Sequence, residues 1–579
     1  MNLVAIKRLK VLGQTFTFIS ALFLLSACND AVDDANVNSH ITLYKNGNII
    51  TMVGDAPQYI EALGVEGRQI IYTGELDKAI SQFPHATVVD LAGQTMLPGF
   101  IDPHSHIGMV ASALGQANVS SPPVGKVTDY QGIITQLQDY KVEFNIQPGE
   151  WIFAWGYDEN ELDEKRHITK RELDEAFTEN PVYLQHTSGH MGVANSHALA
   201  LLNIDNTTPD PEGGKIVRFA DSDEPTGLVQ EVAMYEFARK AIETFASKKE
   251  ALFPRAQAYY LSHGLTTAQD GNTDPQSMAL FVKMATETGL DIDLVSLPGT
   301  HSIEQSDFPF QEDLNGVRFQ GIKIVADGSP QGKTAFFTQP YLTDVEGCES
   351  DCKGLPSISQ AALNDLFVKG YANDRQLFIH SNGDASMDMI IAAHEHATKQ
   401  LNLSLDADRR TVVIHSQFVR EDQLDTFAQY NILPSFFTNH TYFWGDVHLE
   451  NLGKPRANYM SPMKDAIAKG LIVTNHSDDT VTPVDPMFGV YTAVNRLSRS
   501  GALVGGEQRV SAYQALQAIT VNAAYQLFEE DRKGSLVPGK LADLVFLNEN
   551  PVTTPAASLK DIKVMQTIKA GKTVFTRDQ

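Results

Sequence analysis

GFIDPHSHIG, residues 99–108, ends an apolar run with two histidines one residue apart. Side chains alternate between two faces along a strand, so His104 and His106 point the same way and Ser105 points opposite. Two imidazoles on one face at a strand end suit a metal ion. A His-x-His pair also arises by chance in loops, since the chain carries 17 histidines in 579 residues. The rest of the sequence decides between these readings.

Working outward, GLTTAQDG, GIKIVADG, QLFIHSNGD, RRTVVIHSQ, ILPSFF and GLIVTNHSDD alternate with helix-like stretches. Continuous Val, Ile and Leu runs that each end in polar residues fit parallel strands buried on both faces, whose carboxyl ends build a site. The pattern predicts an α/β fold: a (β/α)8 TIM barrel over residues 99–530, with an insertion near 110–225 that caps it. His380 and His415 end two of the runs, Asp478 follows a third and Lys323 lies within a fourth.

Singly, each of these residues has a plain structural explanation. A strand-end His is commonly a hydrogen-bonded core residue, and Lys323 paired with Asp327 is an ordinary buried ion pair. Together they match barrels that draw catalytic groups from the ends of several strands. A zinc-like divalent ion takes neutral imidazoles and carboxylates and keeps a place for water, whose pKa it lowers toward ~7. An Asp beside that water can take its proton and pass it to a leaving group.

Both ends of the chain read differently. Within residues 39–98, ITLYKNGNIITM, ALGVEGRQIIYTG and ATVVDLAGQTMLPG are short strands, with Asn46-Gly47 and Glu66-Gly67 where hairpin turns belong. Within 531–579, GSLVPGKLADLVFLNENP and IKVMQTIKAGKTVFT repeat that style. The two ends are expected to pair into one small β-sandwich domain.

Hydrophobic residues make up 42% of the chain and charged residues 20%, a globular composition rather than a disordered one. The net charge of −26, with no long basic run, argues against nucleic acid or an anionic membrane surface as a partner. Lys7, Arg8 and Lys10 precede a stretch without charge from Val11 to Cys28. A basic head, an apolar stretch and small residues describe a secretory signal; a spanning anchor of ~20 apolar residues is the alternative. Leu25 to Cys28, LSAC, resembles the bacterial lipobox. That resemblance makes 1–27 a signal peptide, Cys28 the lipidated first mature residue and 28–38 a polar tether. It places the protein on the periplasmic side of a bacterial membrane, attached by lipid alone. The other cysteines, Cys348 and Cys352 in GCESDCKG, suit a local disulfide in an oxidising compartment, with free thiols as the alternative.

LPGFIDPHSH, the strand-end histidines, Ser477-Asp478 and the closing GSLVPGKLADLVFLNENP resemble the amidohydrolase superfamily over nearly the whole mature chain. KIVADGSPQGKTA, HSNGDASMDMIIAAHE, HSQFV and HSDDTVTPVDPMFGV are similar to its YtcJ-like branch, amidohydrolase family 3. The resemblance implies metal ligands at His104, His106, His380 and His415, and at Asp478, which doubles as the catalytic carboxylate. It sets Lys323 at the position that is carbamylated and bridges two metals in binuclear relatives. One or two divalent ions, zinc first among them, are the implied cofactor.

His190 in HTSGHMGVANSHAL matches a His of that branch and is expected to face substrate, whereas His186 and His197 read as structural or surface residues. Trp155, with Trp151 and Tyr157, fits either a pocket lining or core packing. His476 stands where the branch has Gly, Asp479-Thr480 replace an Ala-Pro type pair, and Ser381-Asn382 differ after the strand-5 His, so the pocket wall is expected to be altered. The Glu that follows this His in ring deaminases is absent. The expected activity is hydrolysis of carbon–nitrogen bonds, other than peptide bonds, in a small amide or cyclic amide. The alternatives are a lactone or phosphoester hydrolase on the same site and a solute-binding lipoprotein without activity. The expected partner is a small-molecule substrate, and a homodimer is compatible with the sequence.

Overall fold

The structure is a computed structural model that describes residues 40–578 apart from 123, 306–308, 346, 347 and 349. The signal peptide, Cys28 and the tether expected at the amino terminus lie outside the described residues. The fold is mixed α/β. No helix among the described residues is long and apolar enough to cross a membrane.

Eight strands carry the centre of the molecule: β1 (Phe100–Ile101), β2 (Leu265–Thr273), β3 (Asp293–Pro298), β4 (Gly321–Val325), β5 (Gln376–Ser381), β6 (Val412–His415), β7 (Leu433–Phe436) and β8 (Thr474–Asn475). They run as two parallel arcs, β1-β2-β3 and β4-β5-β6-β7-β8. At one seam a parallel bridge joins Gly299, just beyond β3, to Lys323 on β4. At the other, single hydrogen bonds run from Asp478 N to His104 O (3.1 Å) and from His106 N to Asp479 O (2.8 Å). Among the described residues no ladder pairs β8 with β1.

The arcs face a shared interior. Ile101, Val295 and Leu297 from the first pack with Phe378, Val412, Ile414 and Leu433 from the second. The alternate residues Ile322, Ile324, Leu377, Ile379 and Val413 pack outward with helical residues such as Met387 and Ile390. Strands apolar on both faces follow directly from being covered on both faces. The same alternation turns Lys323, between Ile322 and Ile324, toward the interior.

Strands from both chain ends share one mixed sheet of eight. In it Leu544–Leu547 lies antiparallel to Thr95–Pro98. Glu66-Gly67 is a hairpin turn, with Glu66 facing Gln69. Asn46-Gly47 is not: Ile41–Ile50 is one strand with a bulge between Lys45 and Ile49, and Asn46 takes φ 59°. Pairing on the strand's other side keeps it running, since Leu91 N, Gly93 N and Asn48 N bond Lys45 O, Asn46 O and Gln94 O across the bulge.

A separate sheet of six strands enters between β1 and β2. Its order is 214–218, 225–231, 191–194, 182–186, 152–157 and 117–118. The excursion extends past residue 225 because Pro225–Glu231 pairs with both Gly214–Arg218 and Met191–Ala194. The 28-residue helix Tyr235–Ser262 then returns the chain to β2.

Candidate metal centre

His104 and His106 follow β1, Lys323 is on β4, His380 and His415 end β5 and β6, and Asp478 follows β8. The structure brings all six together at the carboxyl ends of the strands. The Nε2 atoms of His104 and His106 lie 3.3 and 3.2 Å from Asp478 Oδ1. His415 Nε2 is 3.0 Å from His380 Nδ1, and His415 Nδ1 is 3.9 Å from Asp478 Oδ2. Lys323 Nζ is 3.1 Å from His104 Nε2. Asp327 is engaged elsewhere, by the backbone N–H groups of Phe336, Asn382 and Gly383 and by Ser386 Oγ. Lys323 therefore faces the histidines.

Partners on the far side of each ring hold its orientation. His104 Nδ1 lies 2.7 Å from Gln269 Oε1, and His106 Nδ1 lies 2.9 Å from Gly271 O. Both acceptors take an N–H, which leaves both Nε2 lone pairs directed at the carboxylate. His380 Nε2 lies 3.2 Å from Gly328 O and 3.1 Å from Asn382 Nδ2, which leaves Nδ1 as the nitrogen facing His415. His415 Nδ1 lies 3.1 Å from His476 Nε2, whose own Nδ1 is 3.0 Å from Ser435 Oγ, and this chain engages Nδ1 while Nε2 faces His380.

This donor set fits a cation. Asp478 Oδ1 is buried with no hydrogen-bond donor, although two imidazole nitrogens stand beside it. Lone pairs and a carboxylate oxygen facing one another away from water repel unless a positive charge lies between them. Ligand atoms of His104, His415 and Asp478 all fall within 4.8 Å of one another.

Electrostatics and backbone geometry agree with this picture. Burial lowers His104 to about 4, helped by the charge of Lys323, so its imidazole is neutral at pH 7. Burial also draws Lys323 down to about 7 against the opposing pull of Asp478. His415 (φ 73°) and Asp478 (φ 52°) occupy the left-handed region, at a typical cost of ~1–3 kcal/mol each for a non-glycine residue. On β6 this turn releases His415 from the alternation that sends Val413 outward. Gly271 permits the close packing on β2, because a Cβ there would lie 2.5 Å from His104 Cε1.

The centre opens into a cavity of about 390 Å³ whose lining joins strand ends to the inserted sheet. Trp155, Gln185, Ser188, His190 and Glu231 come from the insertion, and Met109, Met234 and Ala238 add apolar surface. His190, expected to face substrate, and Trp155, open between pocket lining and core packing, are both on this wall. Trp151 instead stacks on Phe153, with ring centroids 5.0 Å apart. His186 is buried beside Glu159, with Nε2 to Oε2 at 2.8 Å, while its Nδ1 accepts from Ser188 N. That pattern puts the proton on Nε2, which makes His186 a structural partner of Glu159. His197 is exposed. Cys348 and Cys352 are joined in a disulfide, with Cα atoms 6.0 Å apart.

Three residues around the centre were not assigned these places by the sequence. Gln269 was readable only as part of an apolar run, and Glu231 as an unremarked acid. His476, expected in the pocket wall, stands behind His415 instead. Only the strand alternation of GLTTAQDG offered a signal for Gln269.

The family model described as "Amidohydrolase family" matches residues 87–575. The N-substituted formamide deformylase of Arthrobacter pascens is 27% identical over 534 residues, covering 89% of this chain and 95% of that protein. YtcJ of Bacillus subtilis is 26% identical over 563 residues, covering 92% of this chain and 99% of its own. Among solved structures, an uncharacterized metal-dependent hydrolase from Pyrococcus horikoshii superposes with a TM-score of 0.69 at 22% identity, over 89% of this chain and 99% of that one.

Proposed function

The chain belongs to the amidohydrolase family, and from that premise we propose that it is a metal-dependent hydrolase of a small amide or cyclic amide. The observation that carries this reading is the buried, donorless Asp478 Oδ1 facing the lone-pair sides of two imidazoles. The formamide deformylase among its relatives supports an amide-type substrate. In this reading the two parallel arcs are the halves of a (β/α)8 barrel, and the mixed sheet from both chain ends is its β-sandwich companion.

His104, His106 and Asp478 would hold one divalent ion, for which zinc suits the ligand set, and His380 and His415 a second, with Lys323 as a carbamylated bridge. Such an ion supplies an activated water and polarises the scissile carbonyl. Asp478 takes the proton of the attacking water and carries it to the leaving nitrogen. Met109, Met234 and Ala238 hold the apolar part of the substrate away from bulk water, and His190 and Trp155 orient its polar part.

The proposal also includes lipid attachment through Cys28 and a periplasmic location, for which the sequence LSAC is the support. Metabolic labelling with a fatty-acid analogue, with Cys28→Ser as control, tests it. The function itself is tested by a panel of amides, lactones and phosphoesters assayed before and after chelation. Amide turnover that disappears with the metal and returns on its addition is expected. Turnover of lactones or phosphoesters alone, or turnover indifferent to chelation, would overturn the reading.

A further inference from the structure

Ile152–Tyr157 and Val182–His186 are parallel neighbours in the inserted sheet, and each sends one side chain to the cavity near its carboxyl end. Along the first strand Ile152 and Ala154 pack into one core and Phe153 into another, and Trp155 follows Phe153 on its face. A two-residue period would carry Tyr157 to that face as well, but a bulge intervenes. Trp155 pairs with Gln185 and Tyr157 with His186, which leaves Gly156, at φ 95°, as the extra residue. Tyr157 thereby returns to the core of Ile152 and Ala154, and Trp155 is the last side chain of its face. Gln185 stands beside it in register, on the same face and about 4.8 Å away between backbones. The neighbour of Gln185 on its other side is Gly192, which brings no side chain.

Both side chains are half-buried and line the cavity that holds Asp478. Among the described residues the Gln185 amide makes no hydrogen bond, and neither its Oε1 nor its Nε2 is buried. An acceptor and a donor in one plane therefore open into the cavity without a protein partner. Trp155 Nε1, by contrast, is buried and has no acceptor, so what the cavity meets of this side chain is ring carbon. No aromatic side chain among the described residues packs on that ring, whereas Trp151 is already stacked on Phe153.

We propose that Trp155 and Gln185 together recognise a planar group of the substrate that carries a second, unreacted carboxamide. The indole ring covers the plane, while Gln185 donates to the carboxamide oxygen and accepts from its N–H. The assignment rests on the hydrolase reading of the site and adds the substrate class: amides built on a flat ring with a neutral carboxamide on it. A primary carboxamide holds a C=O and an N–H side by side, so two such groups meet edge to edge in two parallel hydrogen bonds. A ketone of the same shape offers only the acceptor and leaves Gln185 Oε1 unpaired. Sites built to hydrogen-bond a substrate group discriminate against analogues that lack it for this reason.

The test uses the full-length, metal-loaded protein with Asp478→Asn, which binds without turning over. The probes are acetamidobenzamide and acetamidoacetophenone, each as its 3- and 4-isomer, so that the members of a pair differ only in NH2 against CH3. Equilibrium affinities are measured with Gln185 and Trp155 intact, with Gln185→Leu and with Trp155→Leu. For at least one isomer the carboxamide is expected to bind at least ~10-fold more tightly than the ketone when Gln185 is intact. That preference falls to about unity in Gln185→Leu, with metal content unchanged. Trp155→Leu weakens carboxamide and ketone alike, by about 3–10-fold, because a stacked ring does not read the edge. Equal affinity for carboxamide and ketone in both isomers with Gln185 intact overturns the assignment even if the variants fail to fold. So does a preference that survives Gln185→Leu, an affinity indifferent to Trp155→Leu, or failure of every probe to bind. The hydrolysis panel on the unsubstituted enzyme stands apart: if amides are turned over while this preference is missing, only the roles of Trp155 and Gln185 fall.

Discussion

The Nδ1 atom of His415 lies 3.1 Å from His476 Nε2, and Ser435 Oγ holds the other side of His476 at 3.0 Å. The sequence departs from its branch at 476, and this departure supports His415, a proposed ligand. Outer partners of this kind typically change metal affinity by 10–100-fold. His476→Ala should weaken the more loosely held ion by about that factor in a competitive chelator titration. An unchanged affinity would show that His415 is oriented without it.

Asp478 is proposed both as a ligand and as the proton carrier. Asp478→Asn keeps the four histidines and should retain most of the metal, measured by elemental analysis. Turnover should fall by at least ~100-fold, the scale of a lost general base. Near-normal turnover would move the proton transfer to another group.

Lys323 offers a pH-dependent test. Carbamylation consumes the neutral amine and carbon dioxide, and burial places this amine at about 7. The neutral fraction therefore rises as pH climbs through 7. Metal loading of the apoprotein should be faster at pH 8 with bicarbonate than at pH 6 without it, and Lys323→Ala should lose about one metal per chain and this dependence. A loading rate and metal content indifferent to both pH and the substitution would make Lys323 a structural residue.

Far from the centre, Asp293 at the start of β3 meets Lys533 and Lys569, and Lys569 in turn meets Asp543 at 3.1 Å. Lys533 is almost wholly buried and also contacts Glu529 at 3.0 Å. Burial by itself would raise Asp293, but the two ammonium groups hold it below the ordinary value. A carboxyl held low in the folded state contributes stability above its unfolded pKa of ~3.9 and loses it as pH falls further. Asp293→Ala should destabilise by about 3–5 kcal/mol, seen as a lowered thermal midpoint at pH 7. The gap between variant and wild type should narrow below about pH 4. A gap that stays constant there would rule out this ion cluster as its source.

The parts of the centre that lie at the ends of apolar runs were legible in the sequence, because a chemical group at the end of a buried strand breaks a strong local pattern. His380, His415 and Asp478 have that signature, whereas Lys323 breaks its apolar run from within. β3 was not picked out: DLVSLP is short and has no titratable group at its carboxyl end. Asn46-Gly47 carries a hairpin signature, yet its neighbours on the far edge, 91–94, keep the strand running. The grips on the ligands were beyond local reading, since Gln269 is 165 residues from His104 and Glu231 is 41 from His190. Nothing in a window of sequence registers a hydrogen bond made across such distances.

The six-stranded sheet inserted between β1 and β2 separates two properties that many enzymes encode together. Every ligand proposed for the metals comes from the strand arcs, while Trp155, Gln185, His190 and Glu231 come from a segment with its own apolar core. Substitutions in that segment can retune what is bound while every proposed ligand stays in place. A lineage can thus inherit one reaction and change its diet by rewriting about a hundred residues, and a protein engineer can graft that stretch between relatives with the catalytic ends of the strands left intact.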